Sequence, residues 1–344
     1  MRIIQENMEG AMFHSRILEE YLDFRRTVVA DIETTGLSPR GAKVILGGLV
    51  VPDGEGRLAL QYFADRLEDE EELLDRYVGM LAQYETIVTY NGNAFDLPFL
   101  KKRMKTHGIS AEVLEACYSL DLYRVVKKYS ELPSLLPDLK QKTGERDMGV
   151  GQMRQDTIAG GESGRLYYRV LDSSGAQKGR FLDQILLHNR DDIVKLSEIM
   201  SILRFLDIHK IMYSEGFPVA DGEGRAVVRG ILVNSRGMTV EGPVFGEPEP
   251  YQSFSEGTES EVDGKGRFFI RIRTEEVEGY RVADLKAMAL DGPAFQELPG
   301  YESGYLILRN PEKQPQYHEA NRLAKQLVLR LLGELTYIRQ LQFG

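Results

Sequence analysis

Apolar residues along this chain follow two rhythms, one recurring at every second position and one at every third or fourth, and the two alternate. Met12, Ile17, Leu18, Tyr21 and Leu22 keep a loosely helical spacing and predict a leading helix across Glu9 to Phe24. Thr27 to Ile32, Lys43 to Val51 and Arg57 to Phe63 then read as strands, the last two joined by the turn Asp53-Gly54-Glu55-Gly56. A helix from Leu67 to Tyr84, a short strand from Thr86 to Tyr90 and a helix from Asp96 to His107 follow. Tyr118 to Leu120 is a further strand, and Leu122 to Tyr129 and Leu135 to Lys142 are helical. Gly144 to Gln177 is polar and glycine-rich, which predicts a surface excursion. Phe181 to Phe205 restores the helical stripe through Leu182, Ile185, Ile193, Leu196, Met200 and Leu203. Antiparallel strands followed by strand–helix units imply an α/β fold with a mixed sheet.

Beyond about Asp207 the rhythm changes. Ala226 to Val233, Tyr251 to Phe254, Phe268 to Ile272, Tyr280 to Ala283 and Tyr305 to Leu308 are short strand candidates. A closing helix from Gln316 to Gln342 sets Ala320, Leu323, Leu327, Leu331, Leu335 and Ile338 on one stripe. The expected division is an N-terminal helical extension at 1–26, an α/β domain at 27–206 and a smaller C-terminal α+β domain at 207–344. Asp-Gly-x-Gly-Arg occurs at Asp53 to Arg57, Asp221 to Arg225 and Asp263 to Arg267. A dinucleotide loop must lead from a strand into a helix, whereas at least the first and third of these lead into strands, so they read as hairpin turns.

Composition narrows the class. With 344 residues, 42% of them hydrophobic and 28% charged, the chain is an ordinary globular one of about two domains. Cys117 is the single cysteine, which excludes an internal disulfide and a cysteine zinc cluster. Residues 1–26 hold charges every few positions, and the longest apolar run, Val44 to Val51, is too short to span a bilayer. No secretion signal, no membrane anchor and a cytoplasmic home are therefore expected. The formal charge is −10, with 27 basic and 32 acidic residues up to Phe205 and 16 and 21 after it. Each half thus carries −5, which argues against a basic coat for nucleic acid but leaves room for a local basic channel.

Three acidic segments change the picture. In Val28-Val29-Ala30-Asp31-Ile32-Glu33-Thr34-Thr35-Gly36-Leu37, Asp31 and Glu33 stand two apart on a strand and share one face. Two like charges buried side by side are costly unless a cation neutralises them. In Tyr90-Asn91-Gly92-Asn93-Ala94-Phe95-Asp96-Leu97-Pro98-Phe99, Asp96 lies where a strand has ended and a helix begins, a place where ligands bind in open α/β sheets. Asp96 alone could equally cap the helix. In His188-Asn189-Arg190-Asp191-Asp192, His188 and Asp192 are four apart and share a helix face, while Asp191 points about 100° away.

Taken together, these three segments resemble the motifs of the DEDD 3′–5′ exonucleases of the ribonuclease-H-like fold. Within that superfamily the chain is most similar to the YprB-like, or RNase_H_2, group. Asp121-Leu122, Leu132-Pro133 to Lys140 and Leu186 to Ile193 also fit that group's pattern. The resemblance covers Thr27 to Leu203. It implies a ribonuclease-H-like mixed sheet with flanking helices and a two-metal hydrolysis of phosphodiester bonds. Asp31, Glu33, Asp96 and Asp192 would hold two Mg²⁺ or Mn²⁺ ions, and His188 would be the general base. The histidine stands at the spacing that tyrosine-type members use, H-x3-D rather than H-x4-D. Carried over by position, Thr34, Thr35, Leu37, Asn91 and Phe95 contact the terminal nucleotide, with Asp121 positioning a neighbouring group. The resemblance implies as substrate the 3′ ends of single-stranded DNA or RNA. A non-catalytic nucleic-acid-binding module and a structure-selective endonuclease are the rival readings.

Basic residues offer two further surfaces. Lys101, Lys102, Arg103 and Lys105, with Arg124, Lys127 and Lys128, are either a phosphate track or solvated helix faces. Phe269, Arg271 and Arg273 alternate away from Phe268, Ile270 and Ile272, forming either an ordinary polar sheet face or an aromatic and basic surface. The domain after Asp207 is expected to serve substrate or a protein partner.

Overall fold

A computed structural model describes residues 1–149, 158, 161–246, 248–255 and 257–343. The chain divides into two compact units, Met1–Leu206 and Asp207–Gly344.

The first unit is built on a mixed sheet. Its strands are β1 (Arg2–Met8), β2 (Thr27–Thr34), β3 (Val44–Asp53), β4 (Gly56–Phe63), β5 (Thr86–Thr89) and β6 (Tyr118–Asp121), in the order β1-β4-β3-β2-β5-β6. The first four pair antiparallel, and β2, β5 and β6 run parallel. The helices are α1 (Arg16–Glu19), α2 (Glu70–Leu81), α3 (Asp96–Thr106), α4 (Glu112–Ala116), α5 (Leu122–Tyr129), α6 (Leu132–Leu135), α7 (Gln141–Met148), α8 (Ser163–Asp172) and α9 (Gly175–Ile199). Alternation along β2 decides where they pack. Val28, Ala30 and Ile32 join Leu73, Tyr77, Phe99 and Met104 in one core, on the side of α2 and α3. On the opposite face Ile45, Leu46 and Phe63 pack against Tyr167, Val170, Leu182 and Ile185 of α8 and α9. The mixed sheet with flanking helices is the α/β fold expected of the chain.

Three local expectations need correction. No helix spans Glu9 to Phe24: only Arg16–Glu19 is helical, and Arg2–Met8 is an edge strand paired with β4. The expected helical extension at 1–26 misses this because β4 offers an open row of backbone donors and acceptors that an isolated segment does not reveal. The helix expected at Leu135 to Lys142 is instead split into α6 and α7. Pro133 opens the short α6, Pro137 cannot donate, and the Asp138 carboxylate accepts from Lys140 N and Thr143 Oγ1. Within the polar stretch Gly144 to Gln177, α8 is helical and buries Tyr167 and Val170; residues 150–157, 159 and 160 of that stretch lie outside the described residues.

The second unit holds α10 (Ile208–Glu215), β7 (Phe217–Asp221), β8 (Gly224–Val228), β9 (Gly230–Asn234), β10 (Gly237–Phe245), β11 (Tyr251–Ser255), β12 (Thr258–Val262) and β13 (Arg267–Ile272). It continues with β14 (Glu275–Val277), β15 (Tyr280–Asp284), α11 (Pro293–Gln296), β16 (Tyr301–Glu302), β17 (Tyr305–Arg309) and α12 (Tyr317–Phe343). Strands β7 to β13 form one antiparallel sheet and β14 to β17 a smaller one. Helix α12 buries Ala320, Leu323, Leu327, Val328 and Leu331 along one stripe. All three Asp-Gly-x-Gly-Arg segments are hairpin turns, joining β3 to β4, β7 to β8 and β12 to β13. No helix among the described residues is long and apolar enough to cross a membrane.

Candidate active site

Sheet register builds the site from the central strand outward. On β2, Asp31 lies opposite Gly48 of β3 and Glu33 opposite Leu46. Leu46 packs with residues of α8 and α9, so the two carboxylates point to that side of the sheet. The bare backbone of Gly48 leaves a gap that the Asn189 side chain of α9 fills; a Cβ there would lie 2.2 Å from Asn189 Oδ1. Asn189 Nδ2 donates to Asp31 Oδ2 at 2.9 Å. Its Oδ1 accepts from Gln61 Nε2 at 3.0 Å, and the same Gln61 nitrogen donates to the Leu186 carbonyl at 2.9 Å. Strand β4, helix α9 and the first acid are thereby locked in one network. From the other face Tyr77 Oη donates to the Asp31 carbonyl at 3.3 Å. Sequence reading assigned no role to Asn189 or Gln61; the glycine in mid-strand at position 48 was the signal that a side chain approaches there.

Helix α9 also carries His188 and Asp192. His188 Nε2 lies 3.7 Å from Glu33 Oε1 and 3.5 Å from Asp192 Oδ2. These three residues offer ligand atoms that all lie within 4.8 Å of one another, a spacing that could hold a metal ion. Asp191 is buried and accepts from Arg190 Nη1 at 3.2 Å.

Asp96 opens α3 and is 7% exposed. Burial and the neighbouring carboxylates of Glu33 and Asp121 push it up to about pH 7. Burial first, then the charges of Asp96, Asp192 and Glu33, raises the Asp31 carboxyl well above the usual carboxylate range, against the lowering effect of the Asn189 hydrogen bond. The structure therefore brings Asp31, Glu33, Asp96, Asp192 and His188 together in one poorly solvated place. Carboxylates gathered this closely, two of them resisting ionisation, fit a divalent cation with a preference for hard oxygen ligands.

The remaining candidates fall around this centre. Thr34 Oγ1 donates to the Gly36 carbonyl at 2.9 Å, and Thr35 Oγ accepts from Lys43 N at 2.9 Å. Leu37 is 82% exposed on the turn after β2. Asn91 is exposed and takes φ 66°. Phe95 is half-buried against Phe99, their ring centroids 5.5 Å apart. The Asp121 carboxylate accepts from the backbone of Asn91, Asn93, Tyr123 and Arg124, capping α5 and pinning the turn that leads to Asp96. A capping role is not visible from spacing alone, because the turn it holds is thirty residues away in sequence. Arg103, expected on a phosphate track or a solvated helix face, is instead buried and gives both its Nε and Nη2 to Glu70 at 2.7 and 2.6 Å. Lys102 and Lys105 of the same helix remain exposed.

Residues 28–204 match a family model described as the RNase_H superfamily. A stretch of 43 residues is 44% identical to a DNA polymerase of Methanocaldococcus jannaschii, covering 12% of this chain and 3% of that protein. The family B DNA polymerase from the hyperthermophilic archaeon Pyrobaculum calidifontis is similar in structure over 52% of this chain and 24% of its own, with a TM-score of 0.41 and 20% identity. The chain thus spans a small part of the length of either polymerase.

Proposed function

The chain belongs to the RNase_H superfamily, and from that premise we propose that it is a metal-dependent nuclease, a 3′–5′ exonuclease of single-stranded DNA or RNA ends in the DEDD, YprB-like group. The observation that carries the reading is the convergence of four carboxylates and one imidazole from β2, α3 and α9. Asp31, Glu33, Asp96 and Asp192 would hold two Mg²⁺ or Mn²⁺ ions. Such ions, when bound, supply positive charge against the scissile phosphate and the leaving oxygen and make the attacking water more acidic.

The chain's own residues do the rest. Asn189 fixes the orientation of Asp31, and Gly48 gives it room. Glu33 and Asp192 flank His188 Nε2 and keep the ring where it can take the proton of the attacking water. Exposed Leu37 and half-buried Phe95 edge the site and would meet the terminal nucleotide.

An end-labelled digestion panel tests this: single-stranded and double-stranded DNA and RNA with Mg²⁺, Mn²⁺ or EDTA. Stepwise release of mononucleotides from 3′ ends is expected with metal and none with EDTA. Asp31→Asn and Asp192→Asn should abolish it in a folded protein. His188→Ala should lower the rate while metal binding persists. A wild type that cleaves none of these substrates with either metal overturns the reading in favour of a binding module.

A further inference from the structure

A second concavity lies wholly within the second unit. It measures about 500 Å³ and is lined by Arg236, Phe254, Glu259, Arg271 and Arg273 among others. Register explains the assembly. Phe254 of β11 pairs with Glu259 of β12, and Glu259 pairs with Arg271 of β13, so the three stand in a row on one sheet face. Arg273 is two residues on from Arg271, just past the end of β13. Arg236 arrives from the turn between β9 and β10, whose next residue is Gly237. Gly237 takes φ 149°, and a Cβ on it would lie 2.1 Å from the Ile272 carbonyl. Only that close approach sets the Arg236 turn against the end of β13.

Three arginines stand against one glutamate in this lining. Arg271 meets Glu259 at 3.2 Å and Glu261 at 4.0 Å. Arg236 and Arg273 are exposed, and their guanidinium groups meet no acid among the described residues. Phe254, at 70% exposed, is a large aromatic ring left in water beside them. Free guanidinium groups suit phosphate, and an unpacked aromatic face suits a base that is not already stacked in a duplex. The unit as a whole is acidic, which makes a local positive cluster the more notable and confines any polyanion to it.

We propose that this concavity is a second binding site for single-stranded nucleic acid, with Arg236, Arg271 and Arg273 taking backbone phosphates and Phe254 stacking on a base. The identity of the ligand rests on the nuclease reading; the site itself rests on the lining. A lipid surface fits less well, because the cluster sits in a concavity and displays one aromatic ring rather than an amphipathic face.

The experiment uses the full chain and a fluorescein-labelled oligodeoxythymidylate and oligouridylate of about twenty nucleotides, a length that spans more than one site of this kind. Binding is followed by anisotropy in EDTA across a salt series, and cleavage separately in Mn²⁺. The triple variant R236A/R271A/R273A should bind at least about tenfold more weakly and lose about two from the slope of log affinity against log salt. F254A alone should weaken binding about tenfold with the slope unchanged. R236K/R271K/R273K keeps the charge, should retain most of the salt slope, and shows that any loss is not misfolding. Equal binding by wild type and the triple alanine variant overturns the proposal, as does binding to phosphatidylserine vesicles without binding to either strand. Wild type that binds strands through these arginines yet cleaves nothing overturns the nuclease reading and leaves this one standing.

Discussion

Asn189 donates to Asp31 across 2.9 Å through a gap that exists because residue 48 has no side chain. One amide thus determines the orientation of a carboxylate, and one missing methyl group determines whether that amide can be there.

Asn189→Ala should lower nuclease activity and metal affinity by about 10–100-fold, the range for lost partners of metal ligands. Loss of this hydrogen bond also removes the one influence that lowers the Asp31 carboxyl, so the acidic limb of the pH–rate profile should move to higher pH. Gly48→Ala should have the same effect by displacing Asn189, and the double variant should be no worse than either single one. Unchanged kinetics and an unmoved pH profile for Asn189→Ala would sink the assignment.

Metal-free protein should lose stability as pH rises from about 4 to about 7. Asp96 has its folded value pushed up to about 7 from an ordinary 3.8, so the folded state holds the proton more tightly than the unfolded chain across that window. Asp96 alone contributes about 4 kcal/mol at 1.36 kcal/mol per unit, and the raised Asp31 carboxyl adds to the loss in the same direction. Glu70 is shifted the other way, held below its ordinary range by Arg103, so its contribution is present above that range and lost only in more acidic solution. Thermal melting in EDTA between pH 5 and 7.5 checks this. Asp96→Asn should flatten the curve, and Mg²⁺ or Mn²⁺ should raise the melting temperature most at the higher pH. A melting temperature that climbs with pH in EDTA would falsify the account.

Asp121→Ala should destabilise the first unit by about 3 kcal/mol, since it removes a helix cap and strands backbone donors of a turn. Because that turn leads to Asp96, cleavage should fall by more than the unfolded fraction explains. Equal losses in folding and cleavage, measured by urea titration and end-label assay, would reduce Asp121 to a cap alone.

Arg103→Ala should cost about 3–5 kcal/mol, because it leaves the Glu70 carboxylate, 1% exposed, without its main partner. Lys102→Ala with Lys105→Ala should leave stability unchanged within about 0.5 kcal/mol. Any effect of the lysine pair belongs in the salt dependence of strand binding, where Arg103→Ala should show none.

Strands with strong alternation or flanking turns were legible in the sequence, from Thr27 to Ile32 through Tyr118 to Leu120, and so was the long stripe of α9. The acid pair on β2 was legible because two carboxylates side by side in apolar flanks are costly, and the cost implies a partner; Asp96 and Asp192 joined it only through the resemblance of the three segments to one family's motifs. Strand β1 was not: Arg2 to Met8 is largely polar, and its pairing with β4 is decided by partners 49 to 61 residues away. Strands β7, β10 and β12 escaped for a similar reason, since the prolines and glycines in Phe217–Asp221 and Gly237–Phe245 and the polar Thr258–Val262 carry little strand signal of their own. Neither reading offered for Arg103, a phosphate track or a solvated helix face, matches its burial against Glu70, because a charged residue on a helix looks solvated until the element packed against it is known.

The edge strand has a practical consequence for anyone isolating the first unit. A fragment begun at residue 28, where the family match starts, would remove the strand that pairs with Arg57 to Phe63. It would also cut the bonds from Arg190 to Glu6, at 2.7 Å each, beside the residues of α9 that meet Asp31 and Glu33. Such a piece would present the bare backbone of β4 to its own copies and release a tether on the helix that carries His188 and Asp192. Aggregation or weak cleavage by that fragment would then reflect where it was trimmed, and a start before Arg2 is the fair comparison.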